Sequence, residues 1–158
     1  MRHLFTILLF AAVLFVTSRP ASAAEKDPCA PRVPAGELAQ FKAMKPAVPE
    51  SPDAIKKGKE IFNGKGTCYT CHGNDGKGNG SMAAALDPSP RNFTNPKFNQ
   101  CKTPGEMFWA VKNGIPGSGM IAAVGTGLIT EEEAWQVIFY ERSLGRKEVP
   151  SSGKGGGK

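Results

Sequence analysis

The chain has 158 residues, a length that predicts one domain, with 20 basic and 14 acidic residues and a formal net charge of +6. This modest, mixed charge argues against a nucleic-acid-binding protein, because such proteins concentrate basic residues on one face. No segment alternates convincingly between apolar and polar residues, so the pattern favours an all-α fold over a β-rich one.

The N-terminal segment has the pattern of a secretory signal peptide. Arg2 precedes an apolar run from Leu4 to Val16, and the small residues Ala21 and Ala23 follow it. A bilayer-spanning helix needs about 20 apolar residues, and this run is shorter. We therefore predict that residues 1–23 are cleaved and that the protein is soluble and periplasmic. An uncleaved leader that anchors the protein to the membrane is the alternative.

Residues 24–50 are rich in proline and predict an extended N-terminal arm. Five prolines interrupt this segment, which leaves room for at most a short helical piece near Glu37 to Met44. A clear helix follows: Ser51 can cap it, Pro52 suits its first position, and Gly64 ends it.

The next segment, Cys68-Tyr69-Thr70-Cys71-His72, carries the strongest chemical signal in the chain. Two thiols three positions apart and an adjoining imidazole form the C-x-x-C-H run of a c-type haem attachment site. Cys68 and Cys71 would each form a thioether with one haem vinyl group, and His72 would be the proximal iron ligand. We therefore predict one covalently bound haem c with its iron.

Three other interpretations of this run remain open. A structural zinc site normally needs a second pair of Cys or His ligands at similar spacing, and the two remaining cysteines, Cys29 and Cys101, stand far apart. A thioredoxin-like redox pair would lie in a βαβ unit, which the surrounding pattern does not predict. The third alternative is a chance match.

Cleavage of the predicted signal would remove Arg2, His3 and Arg19, which leaves a net charge of +4 over 135 residues. His72 would then be the only histidine, so this chain cannot supply two histidine ligands to one haem. The sixth iron ligand must be a methionine, an unusual group or nothing.

After His72 the chain continues as a loop and a short helix. The glycine-rich segment 73–80 lacks the Gly-Lys-Ser/Thr ending of a nucleotide-binding loop, so we expect it to wrap the edge of a flat cofactor. Residues 81–86 predict a short helix, which Pro88 and Pro90 stop.

Two capping boxes mark the last two helices. Thr103 and Glu106 begin one that ends before Gly114, and Thr130 and Glu133 begin a second, strongly apolar one that residue 145 ends. Residues 114–120 between them form a Gly/Pro-rich loop, and residues 147–158 are predicted to be a disordered tail. Three main helices with so much loop indicate that a buried cofactor supplies part of the core.

Four methionines of the predicted mature chain are candidate sixth ligands. Met44 lies in the arm, Met82 follows His72 closely in sequence, and Met107 has the position of a core residue on a helix. Met120 lies in the glycine-rich loop, where the backbone can approach a haem face, and we assign it the sixth position. An open or displaced site is the alternative.

Cys29 and Cys101 are the two cysteines outside the haem motif. In an oxidising compartment a disulfide between them is favoured over two unpaired thiols. In the chain-entropy model such a bond would stabilise the fold by roughly 4 kcal/mol.

The chain resembles class I cytochrome c, in particular the small periplasmic monohaem type of bacteria, over about residues 51–144. The resemblance lies in the haem motif with its glycine loop, in Pro88-x-Pro90-Arg91-Asn92-Phe93, in residues 114–120, and in Glu133-Ala134-Trp135 with Tyr140 and Leu144. It implies a class I cytochrome c domain over residues 51–146, with three main helices and long loops wrapped around one haem.

The resemblance also implies contacts. The first and last helices of the domain would cross beside the haem, with Gly58 and Phe62 against Trp135, Phe139 or Tyr140.

It further implies that a proline carbonyl, of Pro88 or Pro90, orients the proximal imidazole. Arg91, Asn92 and Trp109 are weaker candidates for holding a haem propionate, and each also has a purely structural interpretation.

The function that the sequence predicts is electron transfer between redox protein partners, without enzymatic activity of its own, by a monomer or a subunit of a complex. Lysines at positions 65, 77, 97 and 112 would steer docking onto acidic partners, or would be ordinary solvated side chains. A haem subunit docked permanently on a periplasmic dehydrogenase or reductase, and an open-site haem enzyme or gas sensor, are the alternatives.

Overall fold

The computed structural model describes residues 27–146, so the predicted signal peptide, 1–23, and the predicted tail, 147–158, lie outside the described residues. The described range is helical and contains no strand, which confirms the all-α fold class. Its α-helices are α1 Ala35–Ala43, α2 Pro52–Asn63, α3 Tyr69–His72, α4 Pro96–Cys101, α5 Pro104–Asn113 and α6 Glu131–Leu144. Between residues 27 and 146, none of these helices has the length and apolar character to cross a membrane.

The three main helices begin and end where the sequence predicts. The Ser51 hydroxyl accepts a hydrogen bond from the Ala54 amide at 3.1 Å and caps α2. Helices α5 and α6 each begin with a complete capping box, in which Thr103 pairs with Glu106 and residue 130 pairs with residue 133. A side-chain cap of this kind stabilises a helix by about 1 kcal/mol, so these three start positions are locally determined.

Helices α2 and α6 pack closely against each other and form the centre of the fold. A Cβ atom added to Gly58 would lie only 1.9 Å from the Gln136 carbonyl oxygen, so the two backbones touch there. One turn further along α2, Phe62 is fully buried, and its ring lies 5.3 Å from that of Tyr140. The predicted contact of Phe62 with the last helix is therefore confirmed, and its partner is Tyr140. Gly58 also contacts that helix, at its backbone.

The described part of the arm, residues 27–50, contains one short helix, α1, close to the helical piece that the sequence allows near Glu37 to Met44. Helix α1 packs on α5, where the Trp109 indole nitrogen donates to the Glu37 carboxylate at 3.2 Å. A disulfide joins Cys29 to Cys101 at the end of α4, with the two Cα atoms 5.6 Å apart. The favoured cysteine pairing is present in the structure, and it ties the arm to the helical body.

Two short elements differ from the sequence prediction. The predicted helix over residues 81–86 is a single 3₁₀ turn, Ala83–Ala85. Helix α4 was not predicted at all, although Asn95 caps it by accepting from the Lys97 amide at 3.0 Å. An isolated helix of six residues is marginal, so packing rather than propensity stabilises α4. It carries Cys101 and the buried Phe98.

Candidate haem site

The C-x-x-C-H run forms one helical turn, α3. The His72 amide donates to the Cys68 carbonyl at 2.9 Å, and Gly73 ends the turn with a φ of 75°, which favours glycine. The turn brings Cys68, Cys71 and His72 to the wall of one cavity. The sequence motif is therefore also a spatial cluster.

The cavity beside α3 has a volume of about 360 Å³, which is within the usual range for small-molecule and cofactor sites. Segments from along the whole described chain line it: the arm, α3, the loop after it, α4, α5, the Met120 loop and α6. Met120 lies in its wall together with the three motif residues. One imidazole, one thioether sulfur and two thiols around a largely apolar cavity are the donors that a c-type haem requires, so the residues fit this group.

His72 is held in place from two sides. Its Nδ1 atom lies 3.0 Å from the Arg91 carbonyl oxygen, which leaves Nε2 as the nitrogen able to bind iron. Its ring stacks on Phe93 at a centroid distance of 4.6 Å. Burial lowers the pKa of His72 and so favours the neutral imidazole that metals bind. The prediction that Pro88 or Pro90 supplies the orienting carbonyl was wrong, because the chain turns so that the next residue reaches Nδ1.

The glycine-rich loop folds back on α3. Its Gly78 amide donates to the His72 carbonyl at 2.8 Å, and its Gly80 amide donates to the Cys71 carbonyl at 3.1 Å. A Cβ atom on Gly78 would lie 2.4 Å from the Pro90 carbonyl oxygen, and its φ is 76°. Glycine is thus needed for both conformation and space, and the loop holds the haem motif against the segment that carries Arg91.

The Cys68 thiol is poorly suited to the zinc alternative. Burial, with a smaller contribution from the charge of Glu141, raises the pKa of the Cys68 thiol to about 12. Zinc binds cysteine as the thiolate, which this environment disfavours. Cys29 and Cys101 are engaged in their disulfide and are not available as further ligands.

The loop that carries Met120 is compact and internally hydrogen-bonded. Gly114 and Gly117 have φ values of 70° and 74°, conformations that favour glycine. The Ser118 hydroxyl donates to the Ile115 carbonyl at 2.8 Å and accepts from the Met120 amide at 3.2 Å. The loop therefore fixes the backbone of Met120 in the cavity wall without helical structure, as the glycines predict.

Two of the other three candidate methionines also line the cavity. Met82 is 53% exposed, and its amide is bonded to the Thr70 carbonyl of the haem motif at 2.9 Å. Met107 is buried in α5, and its sulfur lies 3.9 Å from an Arg142 guanidinium nitrogen. Met44 packs against the core but does not line the cavity. Met120 thus lines the cavity with a sulfur that, unlike that of Met107, has no polar contact within residues 27–146, and with a backbone that, unlike that of Met82, is not tied to α3.

The three residues considered for holding a haem propionate have different surroundings in the structure. Arg91 lines the cavity, with its guanidinium 5.3 Å from the centre of the Phe98 ring. The Asn92 side-chain oxygen accepts from the Thr94 amide at 2.9 Å. Trp109 donates to Glu37, as described above, and is absent from the cavity wall, which supports its structural interpretation.

The structure adds four charged residues to the cavity wall that sequence reasoning missed. They are Arg32 of the arm, Lys102 directly after α4, Glu106 in the first turn of α5, and Glu141 of α6. Lys102 and Glu106 form a buried ion pair at 3.3 Å. Glu141 was identifiable in principle, since it follows the fully buried Val137 by one helical turn.

Each lysine considered for steering has a carboxylate partner. The four ion pairs are Lys65–Glu133 at 2.6 Å, Lys77–Asp75 at 3.0 Å, Lys97–Asp27 at 3.2 Å and Lys112–Glu131 at 2.7 Å. Because each positive charge is locally balanced, the field that these lysines present to a partner is weaker than their number suggests.

Comparison with known proteins agrees with this geometry. The family model described as Cytochrome c matches residues 55–145, more than half of the chain. Among solved structures, a chain of the Kuenenia stuttgartiensis reducing HAO-like protein complex is similar, with a TM-score of 0.55 and 24% sequence identity. The match covers 70% of this chain and 55% of that chain, so this chain spans little more than half of that neighbour's length. At this identity the likeness shows the fold alone. The curated proteins contain no match.

Proposed function

Because the chain belongs to the cytochrome c family, we propose that it is a periplasmic monohaem cytochrome that carries single electrons between redox protein partners through a His72/Met120-ligated haem. Membership of the family gives it a covalently attached haem c and a role in electron transfer. The observation that carries the finer proposal is that Cys68, Cys71, His72 and Met120 line one cavity.

Each site residue has its own role in this proposal. Cys68 and Cys71 would attach the haem, and His72 would bind its iron through Nε2 while the Arg91 carbonyl fixes the orientation of the imidazole. Met120 would supply a thioether ligand to the iron, and a soft ligand of this kind raises the reduction potential. The haem would supply the Fe(III)/Fe(II) couple.

Covalent attachment and stoichiometry are tested by the mass of the denatured protein. We expect the wild-type chain to carry the mass of one haem, and Cys68→Ala/Cys71→Ala to carry none. Replacement of Cys29 and Cys101 by serine is the matched control, because it also removes two cysteines, and this variant should keep the haem. A wild-type chain without added mass would contradict the proposal and would favour the zinc alternative.

The sixth ligand is tested by the visible spectrum of the oxidised protein. The weak long-wavelength band of methionine-ligated ferric haem should be present in the wild type and absent in Met120→Ala. Met82→Ala is the matched control, since Met82 lines the same cavity but is mostly exposed, and it should keep the band. If the band is absent from the wild type, the open-site enzyme or sensor becomes the better interpretation.

Two observations support a location outside the cytoplasm. The disulfide between Cys29 and Cys101 is stable in an oxidising compartment, and covalent haem attachment fits the same compartment. The leader predicted over residues 1–23 agrees with export. The N-terminal residue of the purified protein tests the cleavage, and an intact leader would support membrane anchoring.

A permanently docked haem subunit is the second candidate, because the structural neighbour belongs to a protein complex. In that case the native protein should co-purify at a fixed ratio with an oxidoreductase. A monodisperse monomer that exchanges electrons with separate partners would favour the free carrier.

A further inference from the structure

A buried carboxyl group in the cavity wall has no role in the attachment or ligation described above. Glu141 of α6 is only 5% exposed and lines the same cavity as Cys68 and His72. Over residues 27–146 its carboxyl group has no hydrogen-bonding or ion-pairing partner in the protein. Within residues 27–146, the buried side-chain oxygens that lack both a partner and accessible space belong to Asn63 and Asn99, so the Glu141 oxygens face the cavity space.

An apolar residue would be the stable choice at this position. Val137 and Ile138, four and three residues earlier, are fully buried, so the helical repeat places residue 141 on the same inward face. A buried carboxylate without a partner is costly, and the group responds by retaining its proton. Burial raises the pKa of Glu141 to about 8, so it can change its charge near neutral pH.

None of the charged and titratable groups around Glu141 forms an ion pair with it within residues 27–146, and burial is the cause of its raised pKa. Those in the cavity wall are Arg32, Cys68, Cys71, His72, Arg91, Lys102 and Glu106, and the adjacent ones on α6 are Tyr140 and Arg142. Lys102 is paired with Glu106, and Arg142 donates to the backbone carbonyls of residues 99 and 102. The charged side chains of α2 are exposed, and Lys112 of α5 is paired with Glu131.

Cys68 shows that Glu141 acts electrostatically on the haem attachment site. The Glu141 charge is the second largest cause, after burial, of the raised pKa of the Cys68 thiol. Cys68 is an attachment point and not an iron ligand, so Glu141 lies beside the haem position without belonging to the ligand set. A charge in that position also acts on the charge of the iron.

We propose that Glu141 is a proton-binding site coupled to the haem, so that reduction of this cytochrome near neutral pH is accompanied by uptake of a fraction of a proton, averaged over the molecules. The electron comes from the donor protein and converts Fe(III) to Fe(II). The proton comes from solvent and converts the Glu141 carboxylate to the carboxylic acid. Oxidation by the acceptor protein reverses both changes. The inference rests on the proposed function, because it requires the haem to be present.

The direction of the coupling follows from charge. Ferric haem carries one positive charge more than ferrous haem, so an adjacent carboxylate stabilises the ferric state, and reduction makes Glu141 a weaker acid. Unit charges roughly 12 Å apart in a medium of effective dielectric constant about 20 change an acid constant about tenfold. For a one-electron couple, a tenfold change corresponds to about 59 mV.

The test is a redox titration of the haem, followed by its visible spectrum, from about pH 6 to about pH 10, which brackets the pKa of about 8. The midpoint potential of the wild type should fall with rising pH by an amount that corresponds to about a tenfold difference in acid constant. Glu141→Gln removes the proton site but keeps the shape. It should hold, across the range, the potential that the wild type reaches at low pH.

Glu60→Gln is the matched control, because it also replaces a glutamate by glutamine, but at an exposed position on α2. Its potential should fall with pH as in the wild type. A wild-type potential that does not change with pH would overturn the inference. A fall that persists in Glu141→Gln would also overturn it, because the haem propionates or another group would then carry the effect.

A second measurement on the wild type covers the case in which Glu141→Gln does not incorporate haem. The infrared difference spectrum between the reduced and oxidised protein near pH 8 should contain a protonated carboxyl band that appears on reduction. Glu141→Asp keeps a carboxyl group at this position and should shift this band, whereas a propionate band would not move. No shifted band would contradict the inference. A protein with a His/Met haem but no coupled proton would overturn the inference alone, and a protein without haem would overturn the proposed function.

Discussion

The two sides of the haem cavity are held in different ways. On the histidine side, His72 is fixed by the Arg91 carbonyl, by stacking on Phe93 and by the glycine loop that donates to the α3 carbonyls. On the methionine side, the Met120 backbone is held within its own loop, chiefly through the Ser118 hydroxyl. Many independent contacts hold His72 and few hold Met120, the two proposed iron ligands. We therefore expect disturbances to affect Met120 before His72.

The largest effect should come from breaking the histidine side. Phe93 is 5% exposed, and its ring contacts His72, Phe62 and Phe98. Phe93→Ala leaves a cavity in this cluster and should lower the free energy of unfolding by about 3–5 kcal/mol. Denaturant unfolding of the haem-loaded protein measures it.

A loss below about 1 kcal/mol would contradict the view that this ring is central to the histidine side, because a truncated buried phenylalanine normally costs several times more. Tyr69→Ala is the matched control, since Tyr69 is an aromatic residue at a variable position within the haem motif and is 37% exposed. It should change the stability far less.

The second effect is the pH dependence of stability that Glu141 causes. This residue also lies on the histidine side, where its charge acts on Cys68. Burial raises the pKa of Glu141 from 4.5 to about 8, so between these values the folded protein keeps a proton that the unfolded chain has lost. The contribution of this group to the free energy of unfolding is therefore constant below about pH 4.5. Between about pH 4.5 and about pH 8 it falls by roughly 1.4 kcal/mol per pH unit.

Guanidinium unfolding at a series of pH values measures this slope in the wild type and in Glu141→Gln. Over that window the free energy of unfolding of the variant should fall less steeply with pH than that of the wild type. The difference in slope should be about 1.4 kcal/mol per pH unit, which corresponds to one bound proton. Equal slopes in the two proteins would show that Glu141 ionises in the folded state as it does in the unfolded chain.

A smaller effect should come from the methionine side. Ser118→Ala removes both hydrogen bonds that the hydroxyl makes within the loop and should cost about 1 kcal/mol of stability. Because the loop then holds Met120 less firmly, added imidazole should displace the methionine at a lower concentration, as followed by the loss of the long-wavelength band.

Ser143→Ala is the matched control, since that hydroxyl donates to the Tyr140 carbonyl at 2.6 Å, away from the loop. It should leave the imidazole titration unchanged. Identical titrations for both variants and the wild type would mean that the Ser118 bonds do not hold the ligand.

The smallest effect is expected from the surface lysines. Since each of the four has a carboxylate partner, Lys65→Gln or Lys97→Gln should change the rate of electron transfer with an acidic partner protein only slightly. Stopped-flow rates at low and high salt measure this. A steep salt dependence that one such variant abolishes would restore the steering hypothesis.

The sequence predicts an element best where interactions between residues close in sequence determine its position. Ser51, Thr103 and Thr130 begin the three main helices because capping acts within four residues. The haem motif forms one turn through backbone hydrogen bonds between residues four positions apart. Helix α4 and the 3₁₀ turn Ala83–Ala85 depend on packing, which no short window contains.

Site contacts between distant segments could not be read from the sequence. The carbonyl that orients His72 belongs to Arg91 rather than to a proline, because the choice depends on the path of the backbone after the loop. Arg32 reaches the cavity wall because the arm packs on the body. For Glu141 the helical repeat indicates a charged residue at a buried position, but its place in the cavity wall is evident only from the structure.

The measurement that tests the central claim most directly is the proton NMR spectrum of the ferrous protein with methionine methyl groups labelled. A methionine bound to haem iron lies over the porphyrin ring, whose ring current moves its methyl resonance far upfield. The account predicts one such resonance, present in Met82→Ala and absent in Met120→Ala. An upfield resonance that survives in Met120→Ala, or none in the wild type, would contradict ligation by His72 and Met120.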